Sequence, residues 1–274
     1  MQRVLKAIVR IVWPLTWPVR WYWAHSERQL GKKLVVDRVL KHLVPPRPAG
    51  FETDLPGGGR IFLHHRDDIG LVVLLTGSFE RAEIDVARTH AIAGTTAIDV
   101  GANVGIFAVP LALAVGPQGR VIAVEPSPEN VEQLEYNVGL NDLGNVDVRP
   151  IALAAEPGVV ALQLGDDPAF HSTTTVVRSR DAATSTVVPA DTLDRIWHDA
   201  GSPDVSFLKI DTEGGELDVL RGARELLAAC GMPILLEAKE QERLRALDEV
   251  LEPLGYGRTR PHGFAVGNYL YSRR

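Results

Sequence analysis

The sequence predicts an α/β protein in which helices cover a mostly parallel sheet. From Thr95 onward, short apolar runs rich in β-branched residues alternate with stretches of helical periodicity, which is the pattern of a buried parallel sheet. The length of 274 residues, with 45% apolar and 23% charged residues, suits one large domain with an appended segment. A single cysteine, Cys230, excludes a disulfide scaffold and favours a reducing, cytoplasmic compartment.

Residues 1–48 are predicted to be a basic, tryptophan-rich helical arm. They contain ten Lys and Arg against two acidic residues, a net charge of +8, which leaves −14 on the remainder because the chain totals −6. Four of the five tryptophans also lie here. Aromatic rings beside cations suit lipid headgroups, so residues 1–44 are expected either to bind an anionic membrane surface peripherally or to pack on protein. The acidic remainder argues against nucleic-acid binding.

Residues 49–94 are predicted to be an N-terminal extension that follows a proline-rich linker. The stretch Pro56-Gly57-Gly58-Gly59 separates two short apolar runs, which is typical of a hairpin. Residues 79–93 have the apolar spacing of a helix.

Residues 95–274 are predicted to form the core domain. Strands are expected near residues 96–100, 120–125, 146–151, 205–211 and 232–237. Helices are expected near residues 128–139, 215–229 and 240–251. Residues 255–260 and 264–272 are expected to pair as an antiparallel hairpin that closes the sheet. The uncharged run of residues 100–119 contains glycines and Pro110, so it predicts a buried helix kinked by Pro110 and not a membrane span.

A strand, a glycine turn and a helix are predicted to follow one another around residues 97–105, which read A-I-D-V-G-A-N-V-G. Gly101 and Gly105 permit positive φ and close approach of a ligand, and amides at the helix start can bind a polar group. Glu125 ends the next strand, where a carboxylate can accept both ribose hydroxyls of a nucleoside. The sequence therefore predicts a nucleoside-type cofactor.

The glycine spacing indicates which nucleoside binds. A dinucleotide fingerprint reads G-x-G-x-x-G, and Asn103 replaces its middle glycine, which favours a ligand without phosphates. The sequence also lacks a G-x-x-x-x-G-K-[ST] loop for a triphosphate. S-adenosylmethionine meets these conditions, and an NAD(P)-dependent oxidoreductase is the alternative enzyme.

Four blocks in this order resemble the FkbM-type S-adenosylmethionine-dependent methyltransferases. They are I-D-V-G-A-N-V-G at residues 98–105, V-E-P at 124–126 with Asn137 and Leu140-Asn141, L-K-I-D-T-E-G-G-E at 208–216, and I-L-L-E at 234–237. The resemblance covers roughly residues 75–274. It implies a seven-stranded, Rossmann-like methyltransferase sheet and methylation of a hydroxyl group on a sugar, a glycolipid or a secondary metabolite.

The same resemblance implies the cofactor contacts. The residues expected around the methionine part are Asp99, Gly101, Asn103 and Gly105. Glu125 would bind the ribose, and Ile151 and Ala152 would lie against the adenine. Glu80, just before the core, would close over the cofactor.

The predicted catalytic residues are Asp211 and His171, because transfer to a hydroxyl needs alignment and a proton acceptor. Asp211 ends a largely buried strand with Glu213 and Glu216 just beyond it, and Lys209 could pair with one of these acids. His171 lies in the polar stretch of residues 170–175, a predicted loop. No metal site is expected, because the adjacent histidines and acids at residues 64–68 point apart. A non-catalytic, membrane-recruited binding module on a methyltransferase scaffold is the alternative outside enzymes.

Overall fold

The computed structural model describes residues 50–64, 67–163, 175–177 and 185–274. The predicted arm of residues 1–48 and the candidate residue His171 lie outside these ranges. Within the described ranges, no helix combines the length and the apolar character needed to cross a membrane.

The N-terminal extension consists of a hairpin and two helices. Its elements are β1 (Gly50–Asp54), β2 (Arg60–His64), α1 (Asp68–Thr76) and α2 (Arg81–His90). The two strands pair antiparallel, which confirms the predicted hairpin turn. Ile61 and Ile84 are fully buried and belong to the same hydrophobic cluster as Ala97 and Val121 of the main sheet. The extension and the core domain therefore share one hydrophobic core.

A seven-stranded sheet forms the centre of the protein. Its strands, numbered in chain order, are β3 (Thr96–Val100), β4 (Arg120–Val124), β5 (Val146–Arg149), β10 (Val205–Ile210), β11 (Ile234–Glu237), β12 (Tyr256–Thr259) and β13 (Asn268–Arg273). They lie in the order β12-β13-β11-β10-β3-β4-β5, and β13 runs antiparallel to both of its neighbours. The predicted class is confirmed: the sheet is mostly parallel and Rossmann-like, with antiparallel pairing at its C-terminal strands.

Helices cover both faces of this sheet. They are α3 (Ala108–Val115), α4 (Pro128–Leu140), α5 (Leu193–Asp199), α6 (Glu216–Arg221), α7 (Arg224–Cys230) and α8 (Gln241–Leu251), which a short 3₁₀ helix (Glu252–Leu254) follows. Successive residues of β3 pack into different clusters, with Ala97 on one face and Ile98 on the other. Burial on both faces explains why the central strands read as continuous apolar runs.

The expected kink at Pro110 is wrong. Helix α3 begins at Ala108, so Pro110 lies in its first turn. Backbone amides of the first turn have no partner within the helix, and a residue without an N–H group therefore costs no hydrogen bond there.

The single helix predicted over residues 215–229 is also wrong, because α6 and α7 are separate helices. The first helix ends before Gly222, where a Cβ atom would lie 2.3 Å from the carbonyl oxygen of Ala154. The N-terminus of α7 is capped by a side chain of α5, because Asp194 accepts hydrogen bonds from the amides of Glu225 and Leu226 at 3.1 and 2.9 Å. Both causes are contacts with distant parts of the chain.

A second, four-stranded sheet was not predicted. Its strands are β6 (Ala152–Leu153), β7 (Gly158–Gln163), β8 (Thr175–Val177) and β9 (Ser185–Asp191), in the order β6-β9-β7-β8. The strand expected over residues 146–151 is therefore too long, because β5 ends at Arg149 and the chain crosses to the second sheet. Strand β8 begins at the end of the stretch expected to be a loop.

Candidate active site

A cleft opens at the carboxyl ends of β3, β4 and β10, the edge at which open parallel sheets bind their ligands. It encloses about 1120 Å³, including its open mouth. Its character changes along the strand order of the sheet. On the side of β5 and β6 it is lined by Ile151, Ala152 and Leu153, and on the side of β10 by Lys209 and Asp211. One part of the cleft is therefore apolar and the other is charged.

Two glycines allow the turn after β3 to adopt its backbone conformation and to pack closely against its neighbours. Gly101 has φ of 75°, and a Cβ atom there would lie 1.8 Å from the carbonyl oxygen of Asp211. Gly105 has φ of 97°, and a Cβ atom there would lie 2.9 Å from the side chain of Leu134. Any side chain at Gly101 would push the turns after β3 and β10 apart. Glycine at residue 101 is thus required by packing as well as by backbone conformation.

Hydrogen bonds to the side chain of Glu125 connect this turn to the end of β4. Its buried carboxylate accepts hydrogen bonds from the amide of Asn103 at 2.9 Å, the amide of Ser127 at 3.0 Å and the Nδ2 of Asn130 at 3.2 Å. Burial raises the pKa of Glu125, and these hydrogen bonds oppose that rise. The carboxylate lines the cleft beside the turn.

A buried lysine links the turns after β3 and β10. The Nζ atom of Lys209 lies 3.4 Å from Asp99 and 3.6 Å from Asp211, and donates a hydrogen bond to the carbonyl oxygen of Gly101 at 3.0 Å. It also lies 5.0 Å from the ring centroid of Phe107. Burial by itself lowers the pKa of Lys209, but the neighbouring carboxylates outweigh it and raise that pKa above its ordinary value. Lys209 therefore stays charged and pairs with both acids.

Glu80 brings a carboxyl group to the cleft from the start of α2. Its backbone is left-handed, with φ of 42°, and its side chain accepts a hydrogen bond from the Nδ2 of Asn268 at 3.1 Å. The same Nδ2 donates to the buried Glu83 at 3.1 Å. Burial first, and then the charges of Asp211 and Glu83, raise the pKa of Glu80 to about 7. Near neutral pH this carboxyl group is poised between its two protonation states.

Three carboxyl groups gather at the tip of β10. Oxygen atoms of Asp211, Glu213 and Glu237 lie within 4.8 Å of one another. The Nζ atom of Lys239 lies 3.0 Å from Glu237 and 3.6 Å from Glu213 and supplies positive charge beside them. Burial, followed by the charge of Asp211, raises the pKa of Glu237 to about 8. Asp211 and Glu213 line the cleft, and the group of three is named the acidic cluster below.

Glu216 has a structural role. Its Oε1 atom accepts hydrogen bonds from the amide of Thr212 at 3.0 Å, from the hydroxyl group of Thr212 at 3.1 Å and from the amide of Gly214 at 2.9 Å. These contacts shape the loop between β10 and α6, and the other two acids of the motif, Asp211 and Glu213, line the cleft.

Backbone strain concentrates at this cleft. Five residues other than glycine have positive φ in the described part of the chain, and three of them line the cleft: Glu80, Asn103 and Glu213. Such conformations cost roughly 1–3 kcal/mol each and tend to persist at ligand sites, where surrounding structure imposes them.

Most predicted site residues meet at the cleft. The residues that line it are Glu80, Gly101, Asn103, Glu125, Ile151, Ala152 and Asp211. Asp99 and Gly105 lie behind its wall, and Asp99 is completely buried. Three residues at or near the cleft were not predicted from the sequence: Phe107, Asn130 and Asn268. A buried asparagine at the start of an apolar strand was a usable signal for Asn268, whereas Phe107 stands in an apolar run without any such signal.

The chemistry of the cleft fits S-adenosylmethionine, an adenosine joined to a positively charged methionine tail. The apolar part suits a base, the carboxylate of Glu125 suits ribose hydroxyls, and the carboxyl group of Glu80 suits an ammonium group. Among the cleft residues that the structure describes, Lys209 is the sole basic side chain, and two acids already neutralise it. A dinucleotide pyrophosphate would find no free cation among these described residues.

Comparisons with known proteins agree with this chemistry. Residues 99–257, more than half of the chain, match the model of the methyltransferase FkbM domain. Methyltransferase sdnD of Sordaria araneosa is 28% identical over 192 residues, which cover 60% of this chain and 74% of that protein.

Two solved structures are among those similar to this chain. A methyltransferase FkbM from Methylobacillus flagellatus KT has a TM-score of 0.45 and 18% identity and covers 74% of this chain and 52% of that chain. This chain thus spans about half the length of that protein. Aeropyrum pernix fibrillarin, solved with natively bound S-adenosyl-L-methionine, has a TM-score of 0.43 and 15% identity, covering 69% of this chain and 74% of that one. From the extent of the sequence match, the chain belongs to the FkbM family of S-adenosylmethionine-dependent methyltransferases.

Proposed function

We propose that this protein methylates a hydroxyl group of a sugar, a glycolipid or a secondary metabolite. The observation that supports an oxygen acceptor is the asymmetry of Asp211. Its Oδ2 atom lies 3.6 Å from Lys209, whereas its Oδ1 atom is buried and accepts no hydrogen bond from the described residues. A carboxylate with one anchored oxygen and one available oxygen is suited to take a proton.

The proposed cofactor contacts follow the change of polarity along the cleft. The methionine part lies beside Gly101, Asn103 and Glu80, the ribose at Glu125, and the adenine against Ile151 and Ala152. Asp99 and Gly105 lie behind the wall of the cleft and act indirectly. Asp99 pairs with Lys209, and Gly105 permits the backbone conformation of the turn.

Asp211 is the proposed catalytic residue. When bound, S-adenosylmethionine would supply a methyl group on a positively charged sulfur, with neutral S-adenosylhomocysteine as the leaving group. Asp211 accepts the proton of the hydroxyl group on its Oδ1 atom. Lys209 holds the Oδ2 atom of Asp211 and the carbonyl oxygen of Gly101 in place. A positioned proton acceptor contributes about 10²–10⁴-fold to a rate. His171, outside the described residues, is the second candidate for this role.

The acidic cluster supports a polyhydroxyl acceptor. Carboxylates accept hydrogen bonds from hydroxyl groups, and the ammonium group of Lys239 donates them. Glu213 and Glu237 would therefore bind neighbouring hydroxyls of the acceptor while Asp211 faces the one that reacts.

Transfer of labelled methyl groups to polar-lipid and polysaccharide extracts tests this function. We expect a product whose label survives mild alkali, as a methyl ether does and a methyl ester does not. Asp211→Asn should slow transfer by at least about 100-fold and change the affinity for S-adenosylhomocysteine less than about threefold. Glu249→Gln, which alters an exposed acid on α8, is the matched control and should change neither.

Two outcomes contradict parts of this proposal. A label that alkali releases would exclude ether formation. Full activity in Asp211→Asn with loss of activity in His171→Gln would move the proton acceptor to His171.

The basic arm is proposed to bring the enzyme to an anionic membrane surface. Its +8 charge and four tryptophans support this role. Deleting residues 1–44 should reduce pelleting with phosphatidylglycerol vesicles and leave binding of S-adenosylhomocysteine unchanged. Equal pelleting of both proteins would assign the arm to protein packing.

A further inference from the structure

Side chains of α4 and of Asn141, the residue that directly follows it, complete the outer edge of β2. The Oδ1 atom of Asn141 accepts from the amide of Arg60 and its Nδ2 atom donates to the Arg60 carbonyl, both at 2.7 Å. One helical turn earlier, Asn137 repeats this pattern on Phe62, at 2.7 Å from the amide and 3.2 Å from the carbonyl. Each asparagine therefore replaces one residue of a missing neighbour strand, because an amide side chain offers the same donor and acceptor as a peptide group.

Asn137 makes one contact that Asn141 does not. Its Nδ2 atom also donates to the carbonyl oxygen of Val104 at 2.8 Å. Val104 lies in the glycine turn, directly after Asn103, whose amide is bound by Glu125. Asn137 is completely buried, so no water can replace these hydrogen bonds.

We infer that Asn137 is a positioning residue, which ties the glycine turn to β2 and thereby sets the affinity for the cofactor. The inference rests on the proposed cofactor contacts. The turn is fixed on one side by Glu125 and on the other by Asn137, and between them it carries the strained backbone of Asn103. Removing the donor of Asn137 leaves the Val104 carbonyl buried and unpaired, which favours a shifted turn.

A pair of matched variants separates this role from simple stabilisation. Asn137→Asp and Asn141→Asp each keep an acceptor and lose a donor at β2, but the first alone disturbs the contact with the turn. We expect calorimetric titration to show an affinity for S-adenosylhomocysteine weakened about 10-fold or more in Asn137→Asp and less than about threefold in Asn141→Asp. Equal weakening in both variants, at equal loss of stability in urea, would overturn the inference.

Hydrogen exchange of the protein without cofactor provides a second readout, for which Asn137→Ser serves if the aspartate variant does not fold. The amides of residues 103–105 should exchange at least about 10-fold faster in Asn137→Ser than in Asn141→Ser. Unchanged exchange would contradict the inference. A wild-type protein that binds no S-adenosylhomocysteine would instead contradict the proposed function, so the two failures are distinguishable.

Discussion

The Glu80→Gln variant should become increasingly more stable than the wild type as the pH rises from acidic to alkaline. The carboxyl group of Glu80 lines the cleft close to the acidic side chains of Asp211 and Glu83. Glutamine keeps the oxygen that accepts the hydrogen bond from Asn268, and it cannot ionise. The substitution therefore removes a charge with little change in shape.

The size of the effect follows from the pKa. The pKa of Glu80 is about 7 in the folded protein and 4.5 ordinarily, so the folded state binds the proton more tightly. The wild-type free energy of unfolding therefore falls by roughly 3 kcal/mol as pH rises from about 4.5 through the folded pKa of about 7, and this group causes little further change above about pH 8. The glutamine variant lacks this loss. Its advantage should grow from near zero at about pH 4 to roughly 3 kcal/mol at about pH 8.

Urea unfolding of both proteins across this pH range measures the difference. Glu132→Gln, which neutralises an exposed acid on α4, is the control and should show no comparable pH dependence. A difference between wild type and Glu80→Gln that is the same at both ends of the range would refute the assignment of a raised pKa to Glu80.

Two further substitutions test the packing of the cleft. Gly101→Ala should destabilise the protein by more than about 3 kcal/mol and abolish calorimetric binding of S-adenosylhomocysteine, because its Cβ would meet the backbone of Asp211; Gly94→Ala, with φ of 82° and open space around its Cβ, should cost only about 1 kcal/mol. Lys209→Met should cost about 3–5 kcal/mol in urea unfolding because it leaves the buried carboxyl group of Asp99 without its positively charged partner, and adding Asp99→Asn should recover part of that loss. Equal stability of the two alanine variants, or strict additivity of the Asp99 and Lys209 changes, would contradict these expectations.

The main sheet could be predicted from the sequence because its signals are local. Strands β3, β4 and β10 are buried on both faces, so each reads as an uninterrupted apolar run. The N-terminus of α4 was predictable from Ser127-Pro128, since a residue suited to capping followed by proline marks a helix start by itself.

Other features depend on distant contacts and leave no local pattern. The break between α6 and α7 is set by Asp194, which lies about thirty residues earlier in the chain. Strand β6 is two residues long and exists because it pairs with β9. No window of sequence around either position contains its cause.

The candidate site shows the same division. Glu125 and Asp211 stand at strand ends and were identified from that position, whereas Asp99 was identified from the family resemblance. Asn268 comes from the last strand, and its contact with Glu80 joins residues that are 188 positions apart. Periodicity cannot relate such residues, although a buried polar side chain in an apolar strand is a reason to look for a partner.

Calorimetric titration with S-adenosylhomocysteine tests the central claim most directly, namely that the turn after β3 and the carboxylate of Glu125 bind an adenosyl ligand. The wild-type protein should bind with a dissociation constant of about 1–100 μM, and Glu125→Ala should bind at least about 10-fold more weakly. Binding of NAD(P) in place of S-adenosylhomocysteine, or unchanged affinity in Glu125→Ala, would contradict it.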